Sequence, residues 1–163
     1  MRPARSTAAI GCLVAGAIAA LYLWSGQGRS ERPLMPNATV MELLSRADAG
    51  NGARLFRQCA ACHNISKGAP DRNGPNLYGV LGAPVASSSP RFGYTHALRS
   101  AGGRWDAERM NAWLEDPQRV IPGNRMFFPG VTDPWERADL IAYLGTQGST
   151  LLPSPADRGA QGR

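Results

Sequence analysis

Read for apolar periodicity, the chain offers three stretches in which one helical face recurs, and none that alternates as a half-buried strand requires. Residues 41–58 set Leu43, Leu44, Leu55 and Phe56 along a segment that leads into two cysteines, with Asp48 as N-cap of its second part. Residues 106–115 place Met110, Trp113 and Leu114 on one face behind Asp106 as N-cap, with Pro117 just past the end. Residues 134–147 open on Asp133-Pro134, a cap followed by proline at the first helical position, and carry Leu140, Ile141, Tyr143 and Leu144 up to a stop at Gly148. The joining segments are rich in Gly, Pro, Asn and Ser, so the pattern predicts a mostly α domain with long loops, which need something to wrap around.

A fourth pattern is different in kind. Residues 7–24 contain no charged side chain and are almost wholly apolar. As a helix they would span about 27 Å, close to the ~30 Å hydrocarbon core of a bilayer. Arg2 and Arg5 precede the run, which keeps the N-terminus in the cytoplasm and sends the rest across, with Tyr22 and Trp24 at the far interface. The competing reading is a cleaved signal at Ala17-Ile18-Ala19, weakened because the apolar run continues past it. The expected organisation is an anchor or signal at 1–24, a flexible linker at 25–40, one domain at 41–147 and a disordered tail at 148–163. The linker carries Gly26, Gly28, Pro33 and Pro36 and would reach ~20 Å on average.

The formal charge of +6 belongs mainly to the ends: between residues 41 and 150 twelve basic side chains face ten acidic ones. With no interleaving of aromatic and basic residues, a nucleic-acid partner is not expected.

Chemistry concentrates at Cys59-Ala60-Ala61-Cys62-His63. Two thiols three residues apart, followed at once by histidine, form the pattern by which haem c is attached: the thiols bond its vinyl groups and the imidazole ligates iron. A thioredoxin-type pair would need a β-α-β context, and a structural zinc site further Cys or His ligands, yet the only others are Cys12 in the apolar run and His96. A second axial ligand comes from the methionines or His96. Met126 is best placed, in an irregular loop, Pro122-Gly123-Asn124-Arg125-Met126, followed by Phe127, Phe128, Pro129 and Gly130. Met110 reads as helix packing, Met35 and Met41 border the linker, and His96 reads as a polar loop residue.

These motifs carry a resemblance. The Cys-Ala-Ala-Cys-His pentapeptide, Gly74-Pro75-Asn76-Leu77-Tyr78-Gly79-Val80, Trp105, the Met126 loop and Glu136-Arg137-Ala138-Asp139-Leu140-Ile141-Ala142-Tyr143-Leu144 occur in the order found in the class I cytochrome c family. Over residues 48–144 the chain resembles mitochondrial cytochrome c and its membrane-anchored bacterial relatives. The resemblance implies a fold of three to five helices and long loops around one haem. It also implies that the Pro75 carbonyl accepts from Nδ1 of His63, that Gly52 and Phe56 pack against Leu140 and Tyr143, and that Tyr94 and Trp105 donate to a haem propionate. Two departures stand out. Gly82 is followed by Ala83 where many relatives have an arginine near that propionate, leaving Arg91 as a substitute, and lysine is nearly absent, leaving Arg54, Arg57, Lys67 and Arg125 around the haem edge.

What the resemblance implies about function is a monohaem electron carrier rather than an enzyme. It would be a monomer tethered to a bacterial inner membrane with its domain in the periplasm, passing single electrons from a quinol-oxidising cytochrome bc complex to a terminal oxidase. The alternatives are a dedicated electron-transfer subunit or partner of one dehydrogenase or oxidase and, less favoured, a haem enzyme or gas sensor.

Overall fold

The computed structural model describes Arg32, Pro33, Met35, residues 37–149 and Leu151. The chain parts into two units at Met35/Pro36, and the second contains all the helices described. The apolar run 7–24 lies outside the described residues, and no described helix is long and apolar enough to cross a membrane.

Among the described residues there are six α-helices, no strand, and one isolated antiparallel bridge between Pro84 and Arg104. The helices are α1 (Val40–Leu44), α2 (Ala49–Leu55), α3 (His96–Ser100), α4 (Ala107–Glu115), α5 (Pro117–Val120) and α6 (Pro134–Thr146), with a 3₁₀ stretch, Phe56–Ala61, continuing α2. The patterned segments thus form helices, but the first breaks between α1 and α2. Asp48 caps the second piece, its carboxylate accepting from Gly50 N–H at 2.8 Å. α1 begins at a capping box in which Thr39 and Glu42 satisfy each other's backbone N–H.

The two short helices were not legible as periodic faces. Thr95 caps α3, so His96, expected in a loop, is its first residue, exposed on the surface. Pro117, expected just past a helix, starts the next: Asp116 ends α4 and its carboxylate accepts from Gln118 and Arg119 N–H to begin α5. Helices of four or five residues leave no period to detect, and their caps act without one.

Helices α2 and α6 cross at Gly52, where an added Cβ would stand 2.0 Å from the Asp139 carbonyl oxygen and 2.8 Å from Tyr143 Cβ. The close neighbour on α6 is therefore the Asp139 backbone; Leu140 shares the buried core with Phe56, whose ring tilts against Tyr143 at 5.4 Å. The fully buried Asp139 carboxylate ties the crossing, accepting from Asp48 N–H at 2.7 Å and Asn51 Nδ2 at 2.6 Å. Buried Arg137 secures the loop that enters α6, donating to Val131 O at 2.7 Å, Thr132 O at 2.9 Å and Asn111 Oδ1 at 2.8 Å. At the other end of α6, Ser149 Oγ donates to Leu81 O at 2.9 Å, and a Cβ added at Gly148, where φ is +77°, would stand 2.4 Å from Tyr78 Cζ.

Candidate functional site

The 3₁₀ stretch after α2 turns the chain so that Cys62 N–H and His63 N–H both donate to Cys59 O, each at 3.0 Å. Both thiols and the imidazole are thereby presented from one turn. His63 Nδ1 lies 2.8 Å from Pro75 O. A carbonyl only accepts, so Nδ1 carries the proton and the Nε2 lone pair is left free to ligate. Burial lowers the His63 pKa against the opposing pull of the Pro75 carbonyl, which favours the neutral ring that a metal requires. Buried Asn76 holds the Pro75 segment: its Nδ2 donates to Ser66 O at 2.9 Å and Ala69 O at 2.7 Å, and its Oδ1 accepts from Tyr78 N–H at 3.0 Å.

Gly74 leaves the space in which that ring lies, for a Cβ there would meet His63 Cε1 at 2.3 Å and Nδ1 at 2.6 Å. Gly74→Ala is expected to push the ring off Pro75 and cost about 1–3 kcal/mol, lowering the thermal denaturation midpoint of the mature protein by on the order of 10 °C.

These groups open onto a cavity of about 670 Å³. All seven residues singled out from the sequence line it: Cys59, Cys62, His63, Pro75, Tyr94, Trp105 and Met126. His96 and Arg91 do not; Arg91 projects into solvent, and the one Arg, Lys, Asp or Glu in the lining is Arg125, which donates to Gly93 O at 3.4 Å. Met110 also reaches the cavity, from the buried face of α4.

Tyr94 Oη accepts from Ser89 N–H at 3.3 Å and lies 3.4 Å from Ser88 Oγ, so the segment that follows Ala83 reaches this hydroxyl. Trp105 packs edge-on to Trp113 at 5.0 Å, with the Arg109 guanidinium 5.6 Å over its ring. Its backbone is set by Trp105 N–H to Ala83 O at 2.9 Å and Gly82 N–H to Trp105 O at 2.8 Å, beside the Pro84–Arg104 bridge. That pairing spans about twenty residues and has no local sequence signal.

The residues fit haem c. The walls are mainly aliphatic and aromatic, the thiols and a neutral imidazole come from one turn, and Gly74 makes room for the ring. Burial pushes the Cys59 thiol up to about 11, with Cys62 adding to it. A dithiol redox centre needs the opposite shift, since the thiolate is its reactive form.

The family model described as Cytochrome c matches residues 49–148. The chain is 38% identical over 116 residues to a cytochrome c homolog of Bradyrhizobium diazoefficiens, covering 71% of this chain and 63% of that one. It is 39% identical over 100 residues to cytochrome c2 of Rhodomicrobium vannielii, covering 61% of this chain and 79% of that one. Among solved structures, cytochrome cH from Methylobacterium extorquens matches with a TM-score of 0.58 and 40% identity, over 61% of this chain and 99% of that one. The match spans under two thirds of the Bradyrhizobium protein and of the cytochrome c homolog of Rickettsia bellii, 63% and 61%. Fold and site define a mostly helical protein that holds one covalently bound haem c. The chain belongs to the cytochrome c family, class I.

Proposed function

We propose that this protein is a membrane-tethered carrier of single electrons from a quinol-oxidising cytochrome bc complex to a terminal oxidase. Cys59 and Cys62 would hold the haem covalently, His63 and Met126 would ligate its iron, Pro75 would orient His63, and Tyr94 and Trp105 would hold a propionate. The observation that carries this reading is the convergence of both thiols, the Pro75-bonded imidazole and the Met126 thioether on one apolar cavity.

Haem c supplies the one-electron ferric/ferrous couple. The chain tunes and protects it. The Pro75 carbonyl draws on the Nδ1 proton and so makes Nε2 a stronger donor, while the soft thioether of Met126 and the apolar walls favour the less charged, reduced state. Val80, Leu98, Trp113 and Leu144 line the interior and exclude water. Electrons exchange where the lining meets solvent, at exposed Cys62 and at Phe127, which is 98% exposed. Exposed Arg54, Arg57, Lys67 and Arg125 suit acidic partner surfaces. With His63 and Met126 both available from the chain to ligate the iron, no position would be left for a substrate, which supports a carrier rather than an enzyme.

The tether rests on residues 7–24 and the arginines before them. Confinement within the reach of a linker of about fifteen residues raises the effective concentration of the domain at membrane complexes, so each encounter need not be tight. The same segment supports export to the periplasm of a bacterium, with the domain a monomer on a single-pass helix. Fractionation of cells expressing the full chain checks this: the haem-bearing protein is expected in the membrane fraction and accessible to protease from the periplasmic side.

The axial assignment is tested by absorption spectroscopy of the haem-loaded protein. The ferric wild type is expected to show the red charge-transfer band of methionine-ligated haem. Met126→Ala is expected to abolish it and to lower the reduction potential by on the order of a few hundred millivolts, within the ~0.8 V over which axial ligands set haem potentials. Met110→Leu is expected to keep the band; the opposite result for the two variants would move the ligand to α4.

A further inference from the structure

Met126 lies in a loop of prolines and glycines, yet its main chain is not loose. Asn124, two residues before it, is 6% exposed and uses its full hydrogen-bonding capacity. Asn124 Nδ2 donates to Pro117 O at 2.9 Å and to Ile121 O at 2.8 Å. Asn124 Oδ1 accepts from Met126 N–H at 2.8 Å and from Gln118 Nε2 at 3.2 Å. Gln118 Nε2 also lies 3.2 Å from Asn124 O and 3.4 Å from Met126 O. Both main-chain polar groups of Met126 are thus tied to α5, and α5, a single turn, is closed at its C-terminal end by the same amide.

The chemistry of residue 124 is restrictive. Two carbonyl oxygens need two donors, and one backbone N–H needs an acceptor on the same small planar group. A hydroxyl supplies one donor only. A carboxylate supplies none and would face two carbonyl oxygens. An apolar residue would leave Met126 N–H without its acceptor and withdraw one donor from each carbonyl, leaving Pro117 O with Ile121 N–H at 3.1 Å and Ile121 O with Asn124 N–H at 3.2 Å.

We propose that Asn124, assisted by Gln118, is a positioning residue for Met126: it holds the loop against α5 so that the thioether stays in the cavity, and so sets how readily a small nitrogenous base from solution replaces it. The inference rests on the reading of Met126 as axial ligand. A ligand carried on a loop exchanges between bound and released states, and the bonds Asn124 makes exist only while the loop is seated on α5. Removing them shifts the exchange toward release without touching His63 or the thiols.

The test is an imidazole titration of the ferric, haem-loaded protein, followed through loss of the red band. Asn124→Ala is expected to raise the apparent affinity for imidazole about tenfold or more, and Gln118→Ala, which leaves Asn124 in place, roughly two- to threefold. Asn51→Ala serves as a destabilised reference. Its amide bonds Asp139 instead, so its denaturation midpoint falls while its imidazole affinity stays within about twofold of wild type. A wild-type affinity in both Asn124→Ala and Gln118→Ala, with the band present, overturns the inference and leaves the ligand reading standing. If Asn124→Ala fails to load haem, the exposed Gln118 site decides the matter alone. A wild-type protein without the band, unchanged by Met126→Ala, overturns the ligand reading and this inference with it.

Discussion

Replacing Cys59 and Cys62 together by serine is expected to leave a chain with no covalently bound haem and no stable fold. The first half follows from chemistry: the serine hydroxyls cannot form the thioether bonds that attach haem. The second half follows from size. A cavity of about 670 Å³ would remain in the domain. At ~24 cal/mol per Å³ it would cost on the order of 16 kcal/mol, less whatever entering water recovers. Whole domains are stable by only about 5–15 kcal/mol. Haem staining after denaturing electrophoresis checks the attachment, and circular dichroism checks the fold. A doubly substituted chain with full helical signal and a cooperative melt would show that the walls hold together without the group they enclose.

Gly52→Ala carries the next largest expectation, and it acts away from the thiols. The new Cβ would sit 2.0 Å from the Asp139 carbonyl oxygen and 2.8 Å from Tyr143 Cβ, backbone and packed side chain that cannot simply swing aside. Helices α2 and α6 must part. With them go the bonds from Asp48 N–H and Asn51 Nδ2 to the buried Asp139 carboxylate and the seat of Phe56 against Tyr143. Overpacking alone costs about 1–3 kcal/mol, and a buried carboxylate that loses a partner adds to it, so a loss of about 3 kcal/mol or more is expected. Guanidinium denaturation of the haem-loaded protein measures it. Gly50→Ala, two residues earlier in the same helix, is the reference. There the nearest atom is the Asp48 side-chain oxygen at 3.1 Å, and the gain in helix propensity works against the crowding.

Much of the site was open to reading because covalent and ligand chemistry imposes its spacing locally. The two thiols and His63 must lie within one turn, and Met126 announced itself by standing among prolines and glycines where a core methionine does not. Helix starts were legible for a similar reason: Asp48, Asp106 and Asp133 each satisfy backbone N–H groups two or three residues on. The buried charges were not. Asp139 and Arg137 look like surface residues of an amphipathic helix, and their burial depends on partners such as Asp48, Asn51 and Val131 brought in by the fold. Of the arginines named from the sequence, Arg125, expected at the haem edge, is the one the folded loops bring to the lining, whereas Arg91 is exposed and outside it.

The sequence by itself determined the helical class, the caps at Asp48, Asp106 and Asp133, the mode of haem attachment and the family, since each depends on residues close together in the chain or on their order along it. Only the tertiary structure decided how little room a Cβ would have at Gly52 and Gly74, which carboxylate and guanidinium are buried, and that Asn124 is the residue whose side chain accepts from Met126 N–H. Those depend on how closely two distant backbones approach and on whether donors and acceptors meet, and no residue carries that information until the chain has folded around its cavity.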